Sequence, residues 1–332
     1  MRRPWFLILT LLLAACSPGQ LLGPTVILTP TPTIGHNPSQ TISTSITADP
    51  PIPNQKILIM NQYNYYLANP DGSEQVLLYS GGGQIKMASL SPEATKFAYF
   101  MGNDVYIQDI KTGQTITLNH EIIGSMGGQI RWSPDGTQLA LECAYSQQQS
   151  PAICLMDTHN GQIQVLVNEK NTDSSCSTSG TIIMLQDWSQ DGSRMVYICF
   201  MLQPQGQKQD FSIYLYDLAS KTFKRVFKGT LLDSMWGIGT VSISPNNRTL
   251  LITGNHQDYI VQVFLLDLSD NTLEQLTNDT DYDAEALVWR SDSLSFYLHK
   301  TYRQIPYPEK NYVMDVHGRI LNSMNIEGRI LR

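Results

Sequence analysis

From residue 57 onward, short apolar runs alternate with tight polar punctuation, and two punctuated patterns recur to the end of the chain. In the first, an apolar stretch closes on an aspartate and turns. The copies are Val105–Asp109, Ile153–Asp157, Ile213–Asp217, Val263–Asp267 and Tyr312–Asp315, with Tyr65–Asn69 as a divergent first copy that carries Asn in place of Asp. Turn residues follow, as Asp71-Gly72, Thr112-Gly113, Asn160-Gly161, Asp270-Asn271 and His317-Gly318. These are residues that accept the positive φ of a tight hairpin, so each copy predicts two antiparallel strands.

The second pattern is an apolar strand ending in a Ser-Pro-Asp-Gly turn, clearest in Trp132-Ser133-Pro134-Asp135-Gly136. Its relatives are Leu90-Ser91-Pro92-Glu93, Trp188-Ser189-Gln190-Asp191-Gly192, Ile243-Ser244-Pro245-Asn246-Asn247 and Trp289-Arg290-Ser291-Asp292. Proline presets the first turn position, Asp or Asn suits the second, and Gly takes the left-handed one, which is turn chemistry rather than site chemistry. Strands after these turns, such as Leu139-Ala140-Leu141 and Phe296-Tyr297-Leu298, are short and apolar, as in sheets covered on both faces. Four short strands therefore repeat every 40 to 60 residues or so, a period that fits propeller blades.

The WSPDG turn followed by the hydrophobic-Asp-x-x-x-Gly hairpin resembles the TolB-like, or PD40, β-propeller repeats from Ile57 to the C-terminus. Leu276-Thr277-Asn278 with Asp283 before Trp289 is similar to the family's linker between blades, although Ala286 or a neighbour stands where that linker often has Pro. The resemblance implies an all-β propeller of four-stranded blades. Six hairpins are present against five WSPDG-like strands, because no such strand precedes the hairpin at Lys56 to Tyr79. A strand near Gly328-Arg329-Ile330-Leu331 is expected to supply the missing innermost strand of blade one, giving six blades with no free edge, seven being the alternative. TolB itself has an extra N-terminal domain, and its partners do not transfer.

The N-terminus changes the picture of where such a propeller works. Arg2 and Arg3 precede an apolar run from Trp5 to Ala15, which reads as a secretory signal over residues 1–15. It is shorter than the roughly 20 residues a spanning helix needs. Leu13-Ala14-Ala15-Cys16 resembles a bacterial lipobox, with Cys16 as the lipidated first residue of the mature chain. Ser17 is not the aspartate of inner-membrane retention. Residues 16–54 are rich in Pro, Ser and Thr, with Asp49 as the one formally charged side chain. That composition cannot bury a core and predicts a semi-extended tether. Residues 55–332 hold the propeller, and the expected location is extracytoplasmic, at a membrane of the cell envelope.

The chain is acidic, with a formal net charge of −7, which argues against a nucleic-acid partner. Cys143, Cys154, Cys176 and Cys199 remain after Cys16, an even number that predicts two disulfides outside the cytoplasm. None of the four forms the close C-x-x-C pair that zinc sites use. In a propeller of this kind, the loops between second and third strands share one rim with the links between blades. Cys143 and Cys199 fall at equivalent positions near that rim, so the expected pairs are Cys143 with Cys154 and Cys176 with Cys199, with Cys143 to Cys176 left open.

The rim loops are long at Tyr145 to Pro151, Met201 to Asp210, Gly254 to Tyr259 and Lys300 to Lys310, and minimal at Met101 to Asp104. They carry Tyr145, His256, Tyr259, Tyr302, Arg303 and Tyr307, residue types that interfaces favour. Asp279, Asp281, Asp283 and Glu285 alternate in the link after blade five. They offer oxygen ligands for calcium, but without the EF-hand glycine and closing Glu. There is no G-x-S-x-G elbow, H-E-x-x-H or phosphate loop, and the six histidines are scattered. No cofactor is expected. The reading is an anchored binding or scaffolding module whose rim engages a protein or glycan. The alternative is an exported carbohydrate-active enzyme of lyase type, with its site at the central channel.

Overall fold

The computed structural model describes residues 56–81, 85–102, 104–118, 129–145, 150–168, 170–176, 181–201, 209–231, 238–255, 260–304 and 306–331. Cys16 and the expected signal sequence and tether lie outside them, as do His256 and Tyr259. The described strands form six four-stranded antiparallel sheets, the blades of a propeller.

Blade two is the simplest, running outward as Ile85–Leu90, Lys96–Met101, Asp104–Asp109 and Thr115–Leu118. Blade three is Ile130–Trp132, Gln138–Tyr145, Ser150–Asp157 and Ile163–Val167, and blade four is Thr181–Trp188, Arg194–Met201, Gln209–Asp217 and Thr222–Leu231. Blade five comprises Ile238–Ile243, Thr249–Asn255, Val261–Asp267 and Leu273–Gln275, and blade six Tyr282–Trp289, Ser295–Tyr302, Glu309–Asp315 and Ile320–Met324. Blade one joins both ends of the chain: Arg329–Leu331 is the innermost strand and pairs with Ile57–Asn61, followed by Asn64–Ala68 and Val76–Ser80. Ile59 lies opposite Ile330, so the closure expected from the repeat count is formed.

Among the described residues, six apolar clusters fill the six interfaces between blades. Phe100, Ile107, Trp132 and Leu139 join blades two and three, and Trp188, Tyr197 and Tyr214 meet Ile153 and Leu155 across the next interface. Ile59, Ile326 and Ile330 meet Val288 and Val313 where the ring is sealed. The tryptophans at the turn also reach across. The Trp132 indole N–H donates to the Ser89 carbonyl at 3.2 Å and that of Trp289 to the Ser242 carbonyl at 3.1 Å, each on the preceding blade's inner strand. Trp188 instead donates to Gly192 in its own turn.

The turns follow the chemistry read from the sequence. Ser133 Oγ donates to Asp135, and the Thr137 amide donates to the same carboxylate. The left-handed slot holds Gly136 and Gly192, but also Asn247, Ala94 and Ser293. Carboxylates that close the hairpins of the first pattern, Asp109, Asp157, Asp217 and Asp267, accept local amide or hydroxyl hydrogen bonds that hold them below the usual carboxylate range. Both motifs thus place tight turns on one rim. The loops between second and third strands, and the links between blades, fall on the other.

Candidate functional site

Blade six gives the looser rim its best-defined sector. Its second strand ends at Tyr302 and its third begins at Glu309. The segment between folds back on itself, with the Tyr302 amide donating to Pro308 and the Tyr307 amide to Gln304. Tyr307 sits at φ +58° and is 53% exposed. The Arg303 amide donates to the Asp281 carbonyl, which ties this loop to the link arriving from blade five. Tyr302 packs on Tyr282 with ring centroids 5.0 Å apart.

Three of the alternating acids are met by cations from other segments of the ring. Asp279 meets Lys300 at 2.8 Å, Asp283 meets Arg303 at 3.6 Å, and Glu285 meets Arg329 of the closing strand. Asp283 also accepts the Val261 amide at 2.9 Å. Thr277 Oγ donates to Gln262 Oε1 at 2.6 Å, and Gln262 Nε2 donates to the Asp279 carbonyl, fixing the link against blade five. Three of the four carboxylates are therefore committed to separate pairs rather than converging on one cation. Among the described residues no group of three or more His, Cys, Asp or Glu side chains is arranged for a metal ion.

The remaining sequence candidates are placed as follows. Tyr145 ends the second strand of blade three. His256 and Tyr259 fall outside the described residues. Tyr302, Arg303 and Tyr307 come together on blade six. Two tyrosines not singled out from the sequence join this side of the rim. Tyr282 belongs to the pair above, and Tyr63 occupies the turn between the second and third strands of the adjacent blade one. Gln62 and Tyr63 both take positive φ, 48° and 66°, and Tyr63 is 63% exposed. A two-residue hairpin of this shape usually calls for Asn-Gly, so no composition rule drew attention to it. The disulfides are Cys143–Cys154, across the two strands that flank the blade-three loop, and Cys176–Cys199, which fastens the link before blade four to that blade's second strand.

A second polar cluster, also unanticipated, lies on the inner strands and, through Glu142, on the second strand of blade three. Asp187 is fully buried; its carboxylate accepts Ser242 Oγ and the Ile243 amide, both at 2.9 Å, and has Arg131 Nε at 3.5 Å. Gln186 Oε1 accepts the Val241 amide, and Glu142 Oε1 accepts the Leu185 amide. Blades three, four and five are thereby stitched together near the axis. Burial pushes the Glu142 carboxyl well above the ordinary range, which favours its neutral form. The signal was present in the sequence: Arg131 and Asp187 are charges immediately before Trp132 and Trp188, inside largely apolar strands.

No protein-family model matches the sequence. No curated protein matches it either. Solved structures do. TolB from Acinetobacter baumannii is 18% identical with a TM-score of 0.57, over 83% of this chain and 64% of that one. The putative TolB from Agrobacterium tumefaciens is 14% identical with a TM-score of 0.55, over 82% and 91%. A chain of the nidogen/laminin complex is 8% identical with a TM-score of 0.56, over 83% and 96%. The chain thus spans less than two thirds of the Acinetobacter TolB. At these identities the likeness is one of fold, a propeller of the kind found in TolB.

Proposed function

We propose that this chain is a lipid-anchored, extracytoplasmic binding module that presents the loop-bearing rim of its propeller to a protein or glycan partner. The observation that carries the reading is the blade-six sector. There Tyr302 and Tyr282 pack ring against ring at a tilt, Tyr307 is exposed on a loop closed by its own backbone hydrogen bonds, and Arg303 is held by Asp283. Tyrosine supplies contact area and a polar tip with few torsions to freeze, and a preformed loop lowers the ordering cost of association. The location is supported by two disulfides, which persist in oxidising compartments, and by the lipobox-like sequence ending in Cys16. Two acyl chains on that cysteine would make the attachment stable, since each buried CH₂ contributes about 0.8 kcal/mol. Charges near the axis are engaged between blades, as in Arg131 with Asp187 and Glu285 with Arg329, which favours binding over catalysis there.

The test is cross-linked capture from native envelope. The wild-type chain should retain a partner that the triple variant Tyr302→Ala, Arg303→Ala, Tyr307→Ala loses while keeping its melting temperature. Equal capture by both would sink the rim assignment. Cys16→Ser should release the protein from the membrane fraction, and unchanged sedimentation would refute the anchor.

A further inference from the structure

The outermost strands of the six blades are not alike. Val76–Ser80, Thr115–Leu118, Ile163–Val167, Leu273–Gln275 and Ile320–Met324 contain no lysine or arginine. Blade four differs: its outer strand, Thr222–Leu231, is the longest of the six at 10 residues. With the turn before it, that strand carries Lys221, Lys224, Arg225 and Lys228, four of the chain's 22 basic residues within eight positions. All four are exposed, and Phe223 among them is 36% exposed.

The register places these cations on both sides of the blade. Lys224 pairs with Leu215 and Arg225 with Tyr214 on the third strand, so consecutive side chains leave opposite faces. A bulge at Val226 shifts the alternation before Lys228. Acids on the adjoining strand are Asp210, which lies 3.4 Å from Lys228, and Asp217. The edge therefore keeps a positive excess on a chain whose net charge is −7.

From this asymmetry we infer that the outer edge of blade four is a contact surface for an anionic phospholipid bilayer. The complementarity is of charge, with Phe223 available to the headgroup boundary. The inference rests on the anchored reading for proximity. In a ring of six, blade four stands opposite blade one, where the tether enters. The 40 steps from Cys16 to Lys56 reach at most roughly 140 Å when extended, enough to bring the far blade back to the surface. Lysines on an edge strand also discourage edge-to-edge pairing between copies, and the longest edge needs that most. Protection of this kind predicts a change in self-association and none in lipid affinity, so the two roles separate by experiment.

The full chain carrying Cys16→Ser, which no acyl group can hold, is mixed with vesicles of phosphatidylcholine alone or with about one third phosphatidylglycerol, and bound protein is read by co-sedimentation. Binding is expected only to the anionic vesicles and should weaken as salt rises. Each basic residue at such a surface is worth about 1 kcal/mol, or roughly fivefold. Lys224→Gln with Arg225→Gln should therefore weaken binding on the order of 25-fold, while Lys111→Gln with Lys170→Gln, exposed elsewhere and equal in charge removed, should leave it within about twofold. Equal losses in the two double variants, equal binding to neutral vesicles, or no binding by the parent chain would each overturn the proposal. So would aggregation of the edge variant with unchanged lipid affinity. Because no acyl chain is present, failure here leaves the Cys16 fractionation result standing on its own.

Discussion

Alanine in place of Gly328 should destabilise the propeller by about twice as much as the same change at Gly113, although the backbone problem is the same at both. Gly328 has φ +91° and Gly113 φ +71°, and forcing a residue with a Cβ into that region costs roughly 1–2 kcal/mol. At Gly113 nothing lies within 4 Å of the added carbon, so strain is the whole cost. At Gly328 the carbon would collide with the Met60 carbonyl oxygen and stand 2.8 Å from Asn61 Cβ. Backbone cannot step aside as a side-chain tip does, so the closing strand must shift away from Ile57–Asn61. Asn311, 1% exposed, donates to the carbonyls of Ile326 and Gly328 at 2.9 and 2.8 Å. Breaking these bonds leaves a buried amide unsatisfied, a loss of about 1–3 kcal/mol. The total is then about 2–5 kcal/mol against about 1–2 at the control site. Urea unfolding followed by tryptophan fluorescence measures both, with the slope checked for a single transition. Losses within about 0.5 kcal/mol of each other would refute the claim that the closing strand is seated by this close approach.

Removing Cys176–Cys199 should cost more than removing Cys143–Cys154. Their sequence separations of 23 and 11 correspond to about 3.4 and 2.8 kcal/mol of unfolded-chain entropy, and paired serine variants in urea give the order. Glu142→Gln should stabilise the protein, and more at pH 8 than at pH 5. The buried carboxyl has its pKa raised by desolvation, so folding retains a proton that the unfolded chain releases above its ordinary value. Stability therefore falls as pH climbs from that value toward the folded one, and the amide keeps the acceptor for Leu185. Parallel pH profiles in the two proteins would count against it.

Blade architecture was legible because each blade announces itself locally. The Asp-closed hairpins and WSPDG turns are set by residues two to five apart, and the mismatch of six hairpins to five turns located the closing strand. What lies between blades was not legible. Asp187 finds Ser242 and Ile243, and Glu142 finds Leu185, across 43 to 56 residues, and no short-range pattern encodes such distances. The alternating acids Asp279, Asp281, Asp283 and Glu285 offered oxygen ligands on spacing alone, and spacing does not show that Lys300, Arg303 and Arg329 reach three of them from other segments. On the rim, Tyr302, Arg303 and Tyr307 were readable as a loop cluster, whereas Tyr63 was hidden in a turn whose two residues are poor formers of it.

The seam in blade one also has a tempo. Ile59 must wait for Ile330, which is 330 − 59 = 271 residues later, and translation at about 5–20 residues per second makes that roughly 14–54 s. Throughout this interval the ribosome has delivered a strand, Ile57-Leu58-Ile59, that is almost wholly buried in the finished ring but has no neighbour on its axial side. The first blade begun is the last completed. A nascent chain of this design depends on being kept from premature pairing until its final residues emerge, and a chain stopped a few codons early would carry a permanently open seam.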